Sequence, residues 1–208
     1  MQKIMFNDRY GLTQAVIEGR KTMTRRVLSG YPLTPSDRIE DAQIYPDGSI
    51  GIIANGGESL MEVKYRYRVG EIVAVAQSYR DVLAEGFESD AAVLRAFEQR
   101  RLVGWTNKMF VKPELMPHRI RITGIGVERL QDISDEDCLR EGIYPYYYGD
   151  AEEKKRYDIP PDGYSFDSID CHYPTPREAF ASLIDKVSGR GTWKSNPWVF
   201  VCEFELLK

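Results

Sequence analysis

Four cations and two hydroxyls fall within eight residues, Gly19-Arg20-Lys21-Thr22-Met23-Thr24-Arg25-Arg26, with no acid among them. A lysine beside a threonine hydroxyl and a guanidinium makes a site for an anion or a carbonyl oxygen. A lysine crowded by other cations also holds its proton less tightly, which equips it as a base. If the stretch is a strand, its two-residue period puts Thr22, Thr24 and Arg26 on one face and turns Met23 and Val27 to the other. Lys21 stands at the turn into that strand, so it reaches the Thr24 side only if the turn carries it there. The competing reading is a solvated run after a helix C-terminus, where cations meet the helix dipole and water.

Other residues invite chemical readings of their own. Glu141 is a carboxylate at a helix end, where the dipole disfavours it, so its place calls for another partner. Arg119 and Arg121 alternate with Ile120 and Ile122 and, with Lys108, Lys112 and His118, make a basic edge suited to phosphates or a solvated sheet face. Trp105, Trp193, Trp198, Tyr144, Tyr146, Tyr147 and Tyr148 offer surfaces for stacking on bases. Of these Trp198 reads as core, whereas the tyrosine run that includes Tyr147 lies in a polar loop and reads as a recognition surface. Cys138, Cys171 and Cys202 are widely spaced with no CxxC, and His118 and His172 lack ligand spacing, so neither a disulfide framework nor a metal is expected. Neither GxGxxG nor GxxxxGK[ST] occurs, and no cofactor is expected.

The 208 residues suit one domain with insertions, and 42% apolar with 29% charged residues is ordinary for a globular chain. A formal net charge of −4 argues against coating nucleic acid by bulk charge but leaves room for a local basic cleft. No apolar run approaches the roughly 18–20 residues of a membrane span and no signal-peptide core opens the chain, so a cytoplasmic protein with no membrane partner is expected.

The elements that must position these residues are short. Residues 4–6 read as a buried strand, and Asn7 or Asp8 caps a helix through Glu18, with Gly19 as its stop. A strand is expected over 22–28, loop over 29–48, and a hairpin of strands 49–54 and 60–67 around Asn55-Gly56-Gly57. Residues 72–76 read as a buried strand, 80–102 as a helix with Leu94 and Phe97 on one side, and 105–111 as extended. Arg119 to Leu130 alternates as a strand whose glycines at 124 and 126 permit a bulge. Ser134-Asp135-Glu136-Asp137 resembles a capping box for a helix ending at Gly142, residues 144–174 show no periodicity, Thr175-Pro176 opens a helix that Gly189 ends, and 198–206 closes as a strand. Short strands interleaved with short helices, without a repeated βαβ unit, predict an α+β domain on a mixed sheet or small barrel.

Four stretches taken together carry a likeness: GRKTMTRR after a short helix, YRVGEIVAV, MPHRIRITGIGVERLQDISDEDCLREGI, and FASLIDKVSGRGTWKSNPWVFVCEFEL. In content and order they resemble the ASCH domain family of the PUA-like superfamily, and in particular its phage and prophage members. The resemblance spans nearly the whole chain as one domain, with about 29–68, 80–104 and 144–174 as insertions. It implies a PUA-like small mixed β-barrel flanked by short helices, with a cleft for a nucleoside, modified nucleobase or RNA. Small bacterial members of the family are amidohydrolases that deacetylate N4-acetylcytidine with a lysine, a threonine and a glutamate. Carried over on the motifs, these fall on Lys21, Thr24 and Glu141, with Arg26 orienting the base or holding an oxyanion. Two readings without catalysis stand beside it: a nucleic-acid-binding module, and a phage accessory protein that makes protein contacts.

Overall fold

The computed structural model describes residues 1–28, 39–45, 49–54, 56, 59–86, 103–156, 160–166 and 172–207. The chain opens with β1 (Gln2–Ile4), one 3-10 turn (Asp8–Tyr10) and α1 (Leu12–Ile17). The expected single helix is in fact two pieces, because Gly11 takes a left-handed conformation at φ 64° and divides it. Asn7 still caps the segment by accepting the Arg9 N–H. The motif strand is β2 (Met23–Val27).

Next comes a three-stranded antiparallel sheet in the order β3 (Ile39–Ile44), β4 (Ser49–Ala54) and β5 (Ser59–Lys64). The hairpin falls where the glycine turn predicts it. The expected loop over 29–48 is corrected in part, since β3 pairs with the open edge of β4. Ile50, Ile52 and Val63 have no exposed surface and join the main core, so this segment is built into the domain rather than appended to it.

The strand β6 (Ile72–Val75) is buried on both faces from Val73 onward, with Ile72 exposed. Val73 and Val75 enter the main core, while Ala74 and Ala76 pack in a second cluster with Val111, Met116, and Tyr79 and Val82 of α2 (Tyr79–Ala84). The helix expected over 80–102 instead stops at Ala84, where Glu85-Gly86 turn with Gly86 at φ 83°, and residues 87–102, with Leu94 and Phe97, lie outside the described residues. Residues 105–111 are not extended but turn into a 3-10 helix at Lys108–Phe110. Asn107 caps it by accepting the Met109 N–H, and Lys108 Nζ reaches Asp8 at 2.6 Å.

Then follow β7 (Arg119–Arg129), α3 (Asp135–Arg140), β8 (Tyr144–Tyr146), α4 (Ala151–Arg156), β9 (Gly163–Ser165), α5 (Pro176–Ser188), α6 (Thr192–Ser195) and β10 (Trp198–Leu207). The expected bulge is present: Glu203 faces Gly124 and Phe204 faces Ile122, which leaves Thr123 as the extra residue. The 144–174 insertion is not irregular throughout, because β8 and β9 pair and Phe166 is buried in the main core.

The main sheet runs β1–β6–β7–β10–β2, with only the β1–β6 pair parallel. The fold is thus mixed α+β with a mostly antiparallel sheet. In a flat sheet, edges four spacings apart would lie roughly 19 Å from each other. Here they come within reach of one arginine side chain, for Arg26 of β2 donates from Nη2 to the carbonyl of Met5, just past β1, at 2.7 Å. The sheet therefore curls, but among the described residues no strand pairing joins β1 to β2 and no closed barrel forms.

Helix α3 carries Glu141 at its C-terminal cap, and Ser134 caps its start by accepting the Asp137 N–H. Ser134→Ala is expected to cost about 1 kcal/mol, read as a lower denaturation midpoint by tryptophan fluorescence with an unchanged denaturant slope.

Candidate active site

The turn from α1 into β2 is fixed by backbone bonds before any side chain acts. Gly19 adopts φ 75°, the Lys21 N–H donates to the Ala15 carbonyl, and the Thr22 N–H donates to the Arg140 carbonyl, both at 2.9 Å. Opposite, Gly142 turns the chain out of α3 at φ 105°. A Cβ there would meet Leu12, Ala15 and Lys21 only at ordinary contact distances of 3.4–3.6 Å, so it is the left-handed φ, not close approach, that calls for glycine.

The two turns put Lys21 against Glu141. Lys21 Nζ donates to Glu141 Oε2 at 2.5 Å and to the Glu141 carbonyl at 2.7 Å. The two side chains are 1% and 5% exposed, and the Phe6 ring lies 5.9 Å from the ammonium. Burial lowers the Lys21 pKa below the ordinary 10.5; Glu141 raises it again without cancelling the effect, while Arg26 and Arg25 push the same way as burial. The helix-end carboxylate has thereby found the partner that its position called for.

Thr24 is only 7% exposed and lines a pocket of ≈ 650 Å³ with Phe6, Leu12, Arg26, Val187 and Thr192. The pocket occupies the gap between the sheet's edges, and its volume suits a ligand of nucleoside size. Cys202 faces Thr24 across the β2–β10 pair, but burial pushes its thiol up to about 11, so it stays protonated near neutral pH and is a poor rival nucleophile. Arg26 is on the pocket wall with its guanidinium on the Met5 carbonyl.

The remaining expected site residues are elsewhere. Thr22 accepts from Arg140 Nε at 3.4 Å and does not line the pocket. Arg119 pairs in register with Ala74 and Leu207, at the far end of β7 and β10 from Thr24. Arg121 is engaged by Glu205 at 2.9 Å. Lys108 is drawn away from that edge to Asp8, and His118 to Glu85 at 2.8 Å. Tyr147 lies under the ammonium of Lys155 at 5.9 Å, again outside the pocket.

One central residue was missed by sequence reasoning. Arg25 has a side chain with no exposed surface, held by Glu128 at 2.7 Å, Asp137 at 2.8 Å and Glu141 at 3.3 Å. Burial works against its charge, but Glu141 and Glu128 more than offset this and raise its pKa. The signal was present: an arginine in phase with Met23 on a strand, and carboxylates at 137 and 141, one helical turn apart on one face of α3. Among the described residues no group of three or more His, Cys, Asp or Glu is placed to hold a metal, and no helix is long and apolar enough to cross a membrane.

Breaking a buried pair strands a charge and costs about 3–5 kcal/mol, whereas removing both partners together costs much less. Lys21→Met and Glu141→Gln are therefore expected to be strongly non-additive in denaturation, the double variant being more stable than the sum of the singles allows. The pH dependence has a definite sign. With the folded pKa of Lys21 below its unfolded value, the unfolded chain binds more protons between the two, so this residue's contribution rises with pH, is complete above about 10.5, and is lost as pH falls through the folded value. Lys21→Met should remove that alkaline rise.

No family model matches the chain, and neither a curated protein nor a solved structure matches it.

Proposed function

We propose that this chain is an ASCH-type domain of PUA-like architecture whose pocket takes a nucleoside-sized ligand and hydrolyses an N-acyl amide on it, such as that of N4-acetylcytidine. The observation that carries the reading is the buried Lys21–Glu141 contact, which joins residues 120 positions apart beside the strand that brings Thr24 into the pocket. The curl of the main sheet, with its edges on either side of that pocket, supports the PUA-like part.

In this reading Thr24 Oγ attacks the amide carbonyl carbon and its proton passes to neutral Lys21. Arg26 holds the oxyanion of the tetrahedral intermediate. As the C–N bond breaks, Glu141 passes that proton on from Lys21 to the leaving amine. Water then cleaves the acyl-Thr24 ester, which yields the carboxylic acid and restores the hydroxyl.

A second reading is favoured by one observation: the Lys21 side chain is 1% exposed and stands outside the pocket lining. The pair is then a scaffold, and the pocket binds a nucleoside or an unpaired RNA base without cleaving it.

N4-acetylcytidine hydrolysis decides between them. The wild type should release acetate, and Lys21→Ala and Thr24→Ala should each lower kcat by about 10²–10⁴-fold; equal rates in wild type and Lys21→Ala remove the catalytic role of Lys21. Because neutral Lys21 is the base, the rate should rise with pH to a midpoint below 10.5, and Arg26→Gln should move that midpoint upward by removing a neighbouring cation. Saturable nucleoside binding without turnover, or RNA binding that weakens with salt and with Arg26→Gln, selects the second reading.

A further inference from the structure

Glu141 has two carboxylate oxygens, and they serve different partners. Oε2 takes Lys21 at 2.5 Å, and Oε1 takes Arg25 Nη1 at 3.3 Å. The other arms of the guanidinium are taken up by Glu128 on Nε and Asp137 on Nη2. Resting on the hydrolytic reading above, we propose that Arg25 is a positioning residue for the Lys21–Glu141 pair, clamped by Glu128 and Asp137 so that it fixes Glu141 and keeps Lys21 ready to give up its proton.

The case rests on geometry and charge. A planar guanidinium presents its donors in fixed directions, so three carboxylates arranged around it hold it in one orientation. Without Arg25, Oε1 becomes a buried acceptor lacking its donor, and the whole charge of Glu141 turns on Lys21 and tightens its proton. Arg25 acts against this twice, by sharing the Glu141 charge and by placing its own positive charge nearby. The groups facing Lys21 are Glu141 from the end of α3, Arg25 and Arg26 from β2, and from the segment after β1 the Phe6 ring, which brings no charge. Cys138 of α3 stays neutral near physiological pH, its thiol pushed up to about 12. Arg25 borders the pocket, but its side chain has no exposed surface, so the guanidinium acts through the pair and not on a ligand.

The network also reaches the surface. Asp137 is shared with Arg140 at 3.2 Å, and Arg140 pairs with Glu203 at 2.7 Å. The clamp is thus anchored on α3, β7 and β10, the elements that frame the pair.

The test reads the protonation of Lys21 directly, by NMR of ¹⁵N,¹³C-lysine-labelled protein with the Lys21 signal assigned from its loss in Lys21→Arg. Arg25→Gln is expected to raise the Lys21 midpoint by about one pH unit, and to lower kcat with KM unchanged. Arg25→Lys should bring the midpoint back without restoring kcat, because it returns the charge and not the fork. If Arg25→Gln does not fold, Arg25→Met in an E128Q/D137N background leaves only Glu141 unpaired by the change and should give the same upward shift relative to that background. A folded variant with an unshifted midpoint overturns the proposal. A shifted midpoint in a protein that cleaves no amide keeps the role of Arg25 in setting Lys21 and sinks the hydrolytic reading alone.

Discussion

Three ionisable side chains, Lys21, Arg25 and Glu141, lie almost wholly out of water, and the structure around them follows from that constraint. A buried ion left without partners costs several kcal/mol. Each must therefore meet opposite charge at close range, and the chain can satisfy all three only if α1, β2 and α3 stand in one arrangement. Their backbones are stitched together to match, through Lys21 to Ala15 and Thr22 to Arg140. Gly142 makes the turn out of α3 at a φ of 105° that other residues rarely adopt. Such a cluster is weak evidence for net stability, since apolar side chains of similar volume pack as well or better. What it provides is one geometry and a lysine whose proton is loosened.

The pocket follows from the sheet rather than from the ion cluster. With β1 and β2 at opposite edges, curling brings the segment after β1 against Arg26 and leaves a gap that the ends of α5 and α6 wall off. Because β2 is an edge strand, its residues serve both places. Thr24 and Arg26 line the gap, while the Arg25 guanidinium, in alternate phase, enters the ion cluster. Five residues of strand thus connect the pocket to the buried ion cluster.

Much of this could be read from residues. Strong local signals survived: the glycine turn between β4 and β5, the caps Ser134 and Thr175, Pro176 at a helix start, and the alternation of β7. Weak ones did not. Residues 39–44 formed a strand because an open edge was available to pair with, and 105–111 gave up extension because Lys108 found Asp8. The first partner is the next strand along the chain, and the second lies a hundred residues back. In the expected basic edge of Arg119, Arg121, Lys108, Lys112 and His118, three of the five members pair with acids.

The eight residues from Gly19 to Arg26 determined by themselves that a lysine, a threonine and guanidiniums would stand at a helix-to-strand turn, with alternate residues on opposite faces. Local spacing carries that much because helix stops and strand phase are short-range properties. Which cations would be buried and which solvated was decided only in three dimensions. Arg20 stayed at the surface with Glu18, whereas Lys21 and Arg25 went inside, because only there did Glu141, Asp137 and Glu128 converge on them. A charge can leave water only where opposite charge already waits, and those carboxylates lie more than a hundred residues along the chain.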